Sequence, residues 1–340
     1  MALLLDDSDA SVTLAAAHLA RGGLLGLPTE TVYGLAADAN QAAAVASIFS
    51  AKGRPSDHPL IAHIAAPEQS TEAEWLAALL PFVEEIPPFA LTLAQAFWPG
   101  PLTLVFRRRA HVCEATAGGL STLAVRSPAH PVAQRVLRAA QALGVIGVAA
   151  PSANRFGKVS PTTADHVMDE FAAQLSDDAL LVLDGGACQV GIESTIVDCS
   201  RARPVLLRPG MLSAEALGQV LGQPIAGPDA QAPKVSGSLE SHYAPDARVL
   251  LWSAASLHAA WAALSATERV RTAVYAPAAS GLQGVVWSHE MPADAQACAH
   301  ELFAVLRALD QPEVAHIWVQ QPPATPDWAG VNDRLQRAAA

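Results

Sequence analysis

The sequence predicts an α/β protein: a mixed, twisted sheet with flanking helices, linked to a second and smaller α/β unit. The first observation is alternation, because short runs rich in leucine and β-branched residues are separated by alanine-rich stretches of helical length. The second is that strand-like runs follow one another without a helix in 102–126 and in 180–207. The larger sheet should therefore contain antiparallel as well as parallel pairs of strands.

Composition agrees with a folded, two-domain chain. It has 340 residues, 51% of them hydrophobic, and a formal net charge of −11, which allows two domains and excludes disorder. No apolar run reaches the roughly 18 residues of a membrane-spanning helix, and the start, with Asp6 and Asp7 but no basic residue, is not typical of a signal peptide. The four cysteines form no Cys-x-x-Cys pair, so we expect reduced thiols, a cytoplasmic location and no membrane association.

The elements of the first unit follow from the two hydrophobic periods, taken in chain order. The predicted helices cover 12–21, 41–52, 88–97, 131–143, 163–174 and 213–221. The predicted strands cover 24–27, 60–64, 102–106, 122–126, 145–149, 180–183, 194–198 and 205–207.

A change of composition separates the second unit from the first. The stretch 222–241 is rich in Gly, Pro, Gln, Ser and Ala without apolar periodicity, which indicates a linker. Beyond it, strands are predicted over 248–252, 271–275, 284–287 and 316–319, and helices over 254–265 and 293–309. The predicted organisation is a first domain over 1–221, a linker over 222–245 and a second domain over 246–340.

Two cations lie on the turn that ends a predicted helix. Lys52 and Arg54 flank Gly53, which lets the backbone turn at the helix end, so both side chains are free to converge on one ligand. The structural alternative is the general preference of cations for helix C-termini. His58 and His63 follow closely, and each taken singly is by default a structural histidine.

A polar loop follows the predicted strand over 145–149. Ser152 and Asn154 offer a hydroxyl and an amide that can both donate to an anionic oxygen, although such residues commonly serve as turn formers. Ser160 suits an N-cap and Pro161 the first helical position. With Lys158 two residues upstream, that helix start is a candidate anion site.

Further hydroxyls and cations recur at predicted strand ends, each of which could be structural alone. They are Thr31, the pair Thr122 and Arg126 on one face of a strand, Ser194, Arg208 and Tyr243. The sequence has no Walker A motif, dinucleotide fingerprint, Gly-x-Ser-x-Gly or His-Glu-x-x-His. The expected chemistry is therefore positioning and charge stabilisation, with no activated nucleophile.

An ordered series of short motifs makes the chain resemble a known family. These motifs are Pro-Thr-Glu-Thr-Val-Tyr-Gly (28–34), Lys-x-Arg-Pro (52–55), Pro-Leu-x-x-His (59–63), Trp-Pro-Gly-Pro-Leu-Thr (98–103), Ala-Val-Arg (124–126), Pro-Ser-Ala-Asn (151–154), Ser-Pro-Thr (160–162), Glu-Ser-Thr-Ile-Val-Asp (193–198), Arg-Pro-Gly (208–210) and His-Tyr-Ala-Pro (242–245). The chain is similar to the threonylcarbamoyl-AMP synthases of the long Sua5 type. The resemblance implies a YrdC-like catalytic domain and a Rossmann-like C-terminal Sua5 domain. The position of Tyr243 on the linker adds the hypothesis that the linker acts as a lid over the adenylate.

The resemblance also implies an activity. Enzymes of this family are nucleotidyltransferases that condense L-threonine, bicarbonate or CO₂, and ATP into threonylcarbamoyl-AMP and diphosphate. The product serves N6-threonylcarbamoyladenosine formation at tRNA position 37, through a downstream tRNA threonylcarbamoyl-transfer machinery. Mg²⁺ would accompany ATP and be held mostly by its phosphates, with no dedicated protein metal site.

The resemblance carries site residues onto matching positions of this sequence. The implied catalytic residues are Lys52 and Arg54. The implied ATP contacts are Lys52, Arg54, His58, Thr122, Ser152, Asn154, Ser160, Arg208 and Tyr243. The implied L-threonine contacts are Thr31, His63, Arg126, Ala150 and Ser194. His58 stands where many relatives have Asn, and Phe156 replaces a small residue.

Two alternatives compete with this interpretation. An RNA-binding YrdC-like module without synthase activity is disfavoured by the charge of −11, and we expect no strong intrinsic nucleic-acid binding. A carbamoyl-phosphate-using transferase of the hydrogenase-maturation type would add an acylphosphatase-like unit and zinc fingers, which the sequence does not contain. Two of the only three lysines, Lys52 and Lys158, fall in the ligand motifs, so the positive charge should be concentrated in one pocket.

Overall fold

Two separate sheets, one of ten strands and one of four, organise the chain. The structure is a computed structural model that describes residues 2–237 and 242–340. Part of the predicted linker, 238–241, lies outside the described residues. The predicted domain boundaries remain predictions.

The larger sheet is built from the first part of the chain. Its strands are β1 (Leu3–Leu5), β2 (Leu24–Leu27), β3 (Gly34–Asp38), β4 (Ile61–His63), β5 (Leu102–Arg107), β6 (Thr122–Arg126), β7 (Val148–Ala149), β8 (Leu180–Leu183), β9 (Thr195–Asp198) and β10 (Val205–Arg208). Its helices are α1 (Asp9–Ala20), α2 (Ala42–Lys52), α3 (Glu72–Leu79), α4 (Pro88–Phe97), α5 (Pro131–Ala142), α6 (Ala164–Phe171) and α7 (Ala214–Leu221).

The strand order confirms a mixed sheet. The order is β1-β8-β2-β3-β7-β4-β6-β5-β9-β10. Strands β4 and β6 run parallel, whereas β5 with β6 and β9 with β10 pair antiparallel, as the uninterrupted strand runs predict. Apolar residues cover both faces: one core gathers Tyr33, Trp75 and Leu104, and a second core lies under α1 and α5 around Leu19, Leu25 and Val136.

The second unit is a parallel sheet with helices on both faces. Its strands are β11 (Arg248–Trp252), β12 (Thr272–Ala276), β13 (Trp287–Glu290) and β14 (His316–Gln320), in the order β11-β14-β12-β13. Its helices are α8 (Ala254–Ala263), α9 (Ala266–Val270), α10 (Ala295–Leu309) and α11 (Ala329–Ala338). One apolar cluster lies beneath α10 and α11 and another beneath α8. An all-parallel sheet covered on both faces is the expected Rossmann-like arrangement.

The core of the second unit continues into the first. Val32, Val159 and Ile192 belong to the same buried cluster as Phe303 of α10 and Val331 of α11. Burial of these apolar residues drives the two units together. The second unit therefore packs against loops that carry the predicted ligand motifs.

Several predicted elements differ from the observed ones. Strands β1 and β3 and helices α3, α9 and α11 were not predicted, and β3 (Gly-Leu-Ala-Ala-Asp) has the composition of a helix or loop. It becomes a strand because β2 and β7 flank it on both sides. The helix predicted over 254–265 ends at Ala263, since Ser265 caps α9 in a box with Glu268. Strand β13 lies three residues beyond its predicted start.

The helix start predicted at Ser160 is wrong. Thr163 is the N-cap of α6, and its hydroxyl accepts a hydrogen bond from the backbone of His166. Ser160 lies three residues before that cap, and its hydroxyl donates to Glu193 over 2.6 Å.

All four cysteines are buried and unpaired. Among the helices of residues 2–237 and 242–340, none has both the length and the hydropathy needed to cross a membrane.

The contact between the two units can be tested at Gly191. It has φ +80°, and a Cβ there would lie 2.2 Å from the carbonyl oxygen of His300 on α10. We expect Gly191→Ala to lower the free energy of unfolding by about 1–3 kcal/mol through overpacking, in addition to the strain of the positive φ. Chemical denaturation monitored by tryptophan fluorescence measures the loss.

Gly186→Ala is the matched control. Gly186 has φ +81°, but a Cβ there would meet nothing within 4 Å. It carries the backbone strain without the clash, so equal losses in the two variants would contradict the packing argument.

Candidate active site

Most of the predicted site residues line one pocket, formed by the first unit and the linker. The cavity volume left open in this pocket is about 30 Å³. The predicted residues on its wall are Thr31, Lys52, Arg54, His63, Arg126, Ala150, Ser152, Asn154, Ser194, Arg208 and Tyr243. Residues distant in the sequence therefore meet at one place.

Lys52 joins the two motifs that identify the family resemblance. Helix α2 ends at Gly53, which has φ +60° and allows the chain to turn sharply. The Lys52 ammonium then donates to the backbone carbonyls of Ser152 and Asn154. Burial, and to a lesser degree the charge of Arg54, holds the pKa of Lys52 well below its usual range. Its main contact in this structure is structural: it fixes the loop over 151–154.

Arg54 lies beside Lys52 with donor capacity to spare. Its Nη2 donates to the Pro59 carbonyl over 3.2 Å, while its buried Nε has no hydrogen-bond partner among the described residues. The guanidinium lies 5.7 Å from the centre of the Phe156 ring. Burial lowers the pKa of Arg54 to about 10, so the group stays charged near neutral pH. It is suited to bind an anion.

Arg126 and His63 are brought together by strand register. They are direct partners on the parallel strands β4 and β6. The Arg126 guanidinium lies 2.6 Å from the Glu30 carboxylate, and its Nη1 donates to the Thr31 hydroxyl over 2.7 Å. Burial, and then the charge of Arg126, lowers the pKa of His63 to about 3. His63 is therefore neutral, next to a preformed arginine–carboxylate pair.

Arg208 connects the far wall of the pocket to the linker. Its Nε and Nη2 donate to the Ser194 carbonyl, and its Nη1 donates to the Ser236 carbonyl over 2.9 Å. A Cβ on Gly237 would lie 2.6 Å from Arg208 and 2.5 Å from the Tyr243 hydroxyl. The linker residues Ser236 and Gly237 thus lie directly across the cations.

The amide of Asn154 does not point its donors at a ligand, contrary to the prediction. Both donors are used, because Nδ2 donates to the carbonyls of Arg155 (2.7 Å) and Lys158 (2.8 Å). This fixes the orientation of the amide and leaves Oδ1 buried, with no partner among the described residues. The atom available at this position is an acceptor.

Four predicted ligand residues lie off the pocket wall. Thr122 lines a separate groove, because it begins β6 and Arg126 ends it, about 13 Å away along an extended strand. His58 lines an adjoining cavity that shares Arg54 with the main pocket. Ser160 lies behind Glu193, and Lys158 pairs with Asp246 at the start of the second unit. The cations of the pocket are therefore Lys52 and arginines, without Lys158.

Sequence reasoning missed three acidic or basic residues of this site. Glu30 and Glu193 lie inside motifs, where spacing gave no means of separating them from their neighbours. Arg334, on α11, belongs to no motif, and only the fold brings it to Glu193. Burial would raise the pKa of Glu193, but Arg334 and then Arg208 outweigh it and the pKa is lowered.

No group of three or more His, Cys, Asp or Glu residues within the described ranges could hold a metal ion. Two buried carboxylates near the pocket, Glu30 and Glu193, are both paired with arginine. The fold and the site together are those of a two-unit α/β protein with a pocket lined by buried cations in its first unit.

Comparison with known proteins identifies the class further. A family profile described as telomere recombination (Sua5, YciO, YrdC) matches residues 17–210, and the profile of the threonylcarbamoyl-AMP synthase C-terminal domain matches 212–340. The threonylcarbamoyl-AMP synthase of Pyrococcus abyssi is 43% identical over 71% of this chain and 67% of its own length. That of Bacillus subtilis is 33% identical over 98% of this chain and 94% of its own length.

A solved structure agrees over the whole chain. The crystal structure of P. abyssi Sua5 complexed with L-threonine has a TM-score of 0.86 and 34% identity, and it covers 100% of this chain and 97% of that one. The chain belongs to the threonylcarbamoyl-AMP synthase family and has both domains of the Sua5 type. It is an enzyme of the nucleotidyltransferase type.

The buried, neutral His63 predicts a pH dependence of stability. The folded-state pKa of about 3 lies below the usual histidine pKa of 6.5, so below pH 6.5 the unfolded state takes up the proton first. His63 should therefore make stability fall as the pH decreases from 6.5 towards 4, by about 1.4 kcal/mol per pH unit. Urea denaturation at a series of pH values measures this slope.

His63→Asn is the informative variant, because its amide can replace the ring Nδ1 near the Ile61 carbonyl without titrating. The free energy of unfolding of this variant should fall less steeply with decreasing pH than that of the original chain. The difference should be about 1.4 kcal/mol per pH unit, which corresponds to one proton. Identical slopes would show that His63 is not held neutral by the fold.

Proposed function

We propose that this chain is an L-threonylcarbamoyladenylate synthase that joins L-threonine, bicarbonate or CO₂, and ATP, with release of diphosphate. The observation that carries the proposal is the pocket itself. Lys52, Arg54, Arg126 and Arg208 are each at least nine-tenths buried around one cavity. Buried cations are costly unless an anion or hydrogen-bond acceptors meet them, and three anionic groups must be brought together in this reaction.

The ATP side of the pocket is formed by Arg54, Arg208 and Tyr243. Arg54 has an unpartnered buried Nε, and Arg208 contacts the linker through an Nη1 that a ligand could take over. Charge-assisted hydrogen bonds from guanidinium to phosphate are among the stronger polar contacts in proteins. Lys52 contributes by fixing Ser152 and by its positive field. Thr122, His58 and Ser160 lie off the wall of the main pocket. They would contact ATP directly if the nucleotide extends beyond that pocket, and would otherwise act indirectly.

The threonine side is formed by Arg126, Thr31, His63, Ala150 and Ser194. Arg126 would bind the substrate carboxylate with the N–H groups that its Glu30 and Thr31 contacts leave over. A neutral His63 can accept or donate a hydrogen bond to the threonine hydroxyl. Losing such a buried partner costs about 1–3 kcal/mol, which would favour threonine over analogues without the hydroxyl.

The reaction needs positioning more than a protein nucleophile. The threonine amine attacks the carbon of CO₂ and loses a proton, which gives a carbamate. A carbamate oxygen then attacks the α-phosphorus of ATP, the bond from that phosphorus to the bridging oxygen breaks, and diphosphate leaves with the electron pair. Arg54 and Arg208 stabilise the charge that develops on the phosphates, and the closed pocket holds the reactants in contact.

Mg²⁺ would enter with ATP and neutralise phosphate charge. The donor set fits an ion that keeps mostly phosphate and water ligands, because both carboxylates of the pocket are engaged by arginine. Asn154 Oδ1, an oriented oxygen with no partner in the described chain, is the residue suited to contact it.

The linker acts as a lid over the adenylate. Ser236 accepts hydrogen bonds from Arg54 and Arg208, so a nucleotide bound by these arginines would compete with the linker for the same donors. Closure of the linker over the adenylate would exclude water from a labile product. The product would pass to the tRNA-modifying machinery in the cytoplasm. The shared names of the relatives support the synthase over an RNA-binding module.

Arg54→Ala should reduce diphosphate release about 10²–10³-fold, because it removes one of the two arginines assigned to stabilise the developing phosphate charge. Diphosphate is measured with ATP, bicarbonate and L-threonine. Lys52→Ala should cause a similar loss by releasing the loop over 151–154.

Arg109→Ala is the matched control, since that arginine binds only the carbonyls of Leu80 and Val83 outside the pocket. Activity with L-serine but not L-threonine, or only when RNA is added, would contradict the proposed function. Full activity of Arg54→Ala would remove the assigned role of Arg54.

Gly237→Ala tests the lid. The residue has φ +74°, and a Cβ there would displace Arg208 or Tyr243, both assigned to the ATP side of the pocket. Because these contacts would be disturbed, we expect the KM for ATP to rise about tenfold, which corresponds to about 1.4 kcal/mol. Gly227→Ala in the same linker is the control, because a Cβ there meets nothing within 4 Å. Equal kinetics for the two variants would count against a lid at Gly237.

A further inference from the structure

One arginine of the second unit is buried completely at the back of the pocket. Arg334 on α11 has no exposed surface. It donates from Nε to Glu193 Oε2 over 2.9 Å, from Nη2 to the Glu193 carbonyl over 3.0 Å, and from Nη1 to the Pro209 carbonyl over 2.7 Å. Asp333, its neighbour on the helix, accepts from Nη1 as well. The second unit therefore holds the loop that precedes β9 through these hydrogen bonds.

The hydrogen bonds of Arg334 are linked through Glu193 to Ser160, a predicted ATP contact. Glu193 lines the pocket, and its other oxygen, Oε1, accepts the hydroxyl hydrogen of Ser160 over 2.6 Å. The order of contacts is therefore Arg334, Glu193, Ser160. Removing the arginine would leave a buried carboxylate without its main counter-charge, and the carboxylate would have to move or take up a proton.

The Arg334 guanidinium also supports Tyr243, which lies near the end of the linker. It lies 5.6 Å from the centre of the Tyr243 ring. Tyr243 has φ +63°, which is uncommon for a residue other than glycine, and its ring also contacts Phe303 of α10 at 5.2 Å between centroids. Such a conformation persists only where neighbours enforce it. Arg334 and Phe303, both from the second unit, provide that enforcement.

Close docking of α11 allows this reach. Gly330, one helical turn before Arg334, lies on the same face of α11. A Cβ on Gly330 would come within 2.8 Å of the Gly210 carbonyl, which follows the strand that ends in Arg208. The helix can approach so closely only without a side chain at 330.

We propose that Arg334 is a positioning residue for the nucleotide half of the site, through which the second unit sets the geometry of Glu193, Ser160 and Tyr243 without touching the ligand. The threonine half has its own supports, since Arg126 is held by Glu30, Thr31 and Gly100. Loss of Arg334 should therefore weaken ATP binding selectively. The inference rests on the proposed function only for the identity of the nucleotide.

The experiment compares ligand affinities in the full-length protein. Arg334→Lys keeps the charge but loses the forked geometry that serves two acceptors of Glu193 at once. Calorimetric titration with a non-hydrolysable ATP analogue should give a Kd raised about tenfold, with the Kd for L-threonine within twofold of the original. Arg269→Lys is the matched control, because Arg269 lies on the second unit and contacts only Trp261 and Ala262 there.

A double-mutant cycle tests whether Arg334 acts through Glu193. The cycle compares Arg334→Lys, Glu193→Gln and the double variant with both changes; Glu193→Gln keeps an acceptor for Ser160. If Arg334→Lys does not fold, the double variant Arg334→Met with Glu193→Gln remains measurable, because it buries no unpaired charge. If the two residues act as one unit, the combined loss of nucleotide affinity should be well below the product of the two separate losses. Where only the neutral pair folds, its Kd is compared with that of Glu193→Gln alone and should differ by less than about threefold.

Two results would overturn the proposal. One is a folded Arg334→Lys variant whose nucleotide Kd is unchanged, or that loses nucleotide and threonine affinity equally, as a purely structural arginine would. The other is multiplicative losses in the cycle, or a larger difference in the neutral pair. Failure of the proposed function is distinguishable, because it would appear in the original chain as nucleotide binding without threonine-dependent diphosphate release.

Discussion

The structure depends on how buried cations are satisfied at one junction. Five cationic side chains, Lys52, Arg54, Arg126, Arg208 and Arg334, are each nine-tenths or more buried. The cost of removing a charge from water is met largely by backbone carbonyls and two carboxylates. Each such contact also fixes a loop, so the groups that solvate the cations are the groups that shape the pocket.

This arrangement divides the cations by role. Lys52 and Arg334 donate to protein acceptors and hold the walls, whereas Arg54 has an Nε with no partner among the described residues and Arg208 donates from Nη1 to the linker. In a chain with a net charge of −11, the pocket attracts anions locally without making the surface basic. That suits a small nucleotide better than a long polyanion, whose affinity depends on many surface cations.

The second unit is part of the site as well as a neighbour of it. The core beneath α10 and α11 takes in Val32, Val159 and Ile192, which lie in three separate loops. Val32 and Ile192 are next to Thr31 and Glu193, which line the pocket. Packing of this kind transmits small displacements, because close-packed cores are not freely deformable. We therefore propose that movement of the linker and positioning of the nucleotide are both coupled to the docking of the two units.

The sequence alone determined the mixed α/β class, the two units and most residues of the pocket, because hydrophobic periodicity and local motifs are properties of contiguous residues. It failed where partners are distant. Strand β3 forms only because β2 and β7 flank it, Ser160 gives its hydroxyl to Glu193 and not to a helix start, and Lys158 pairs with Asp246. Arg334 had no local signal at all. Tertiary structure decided which donors remain free for a ligand, since hydrogen bonds are shared out only after the chain has brought its acceptors together.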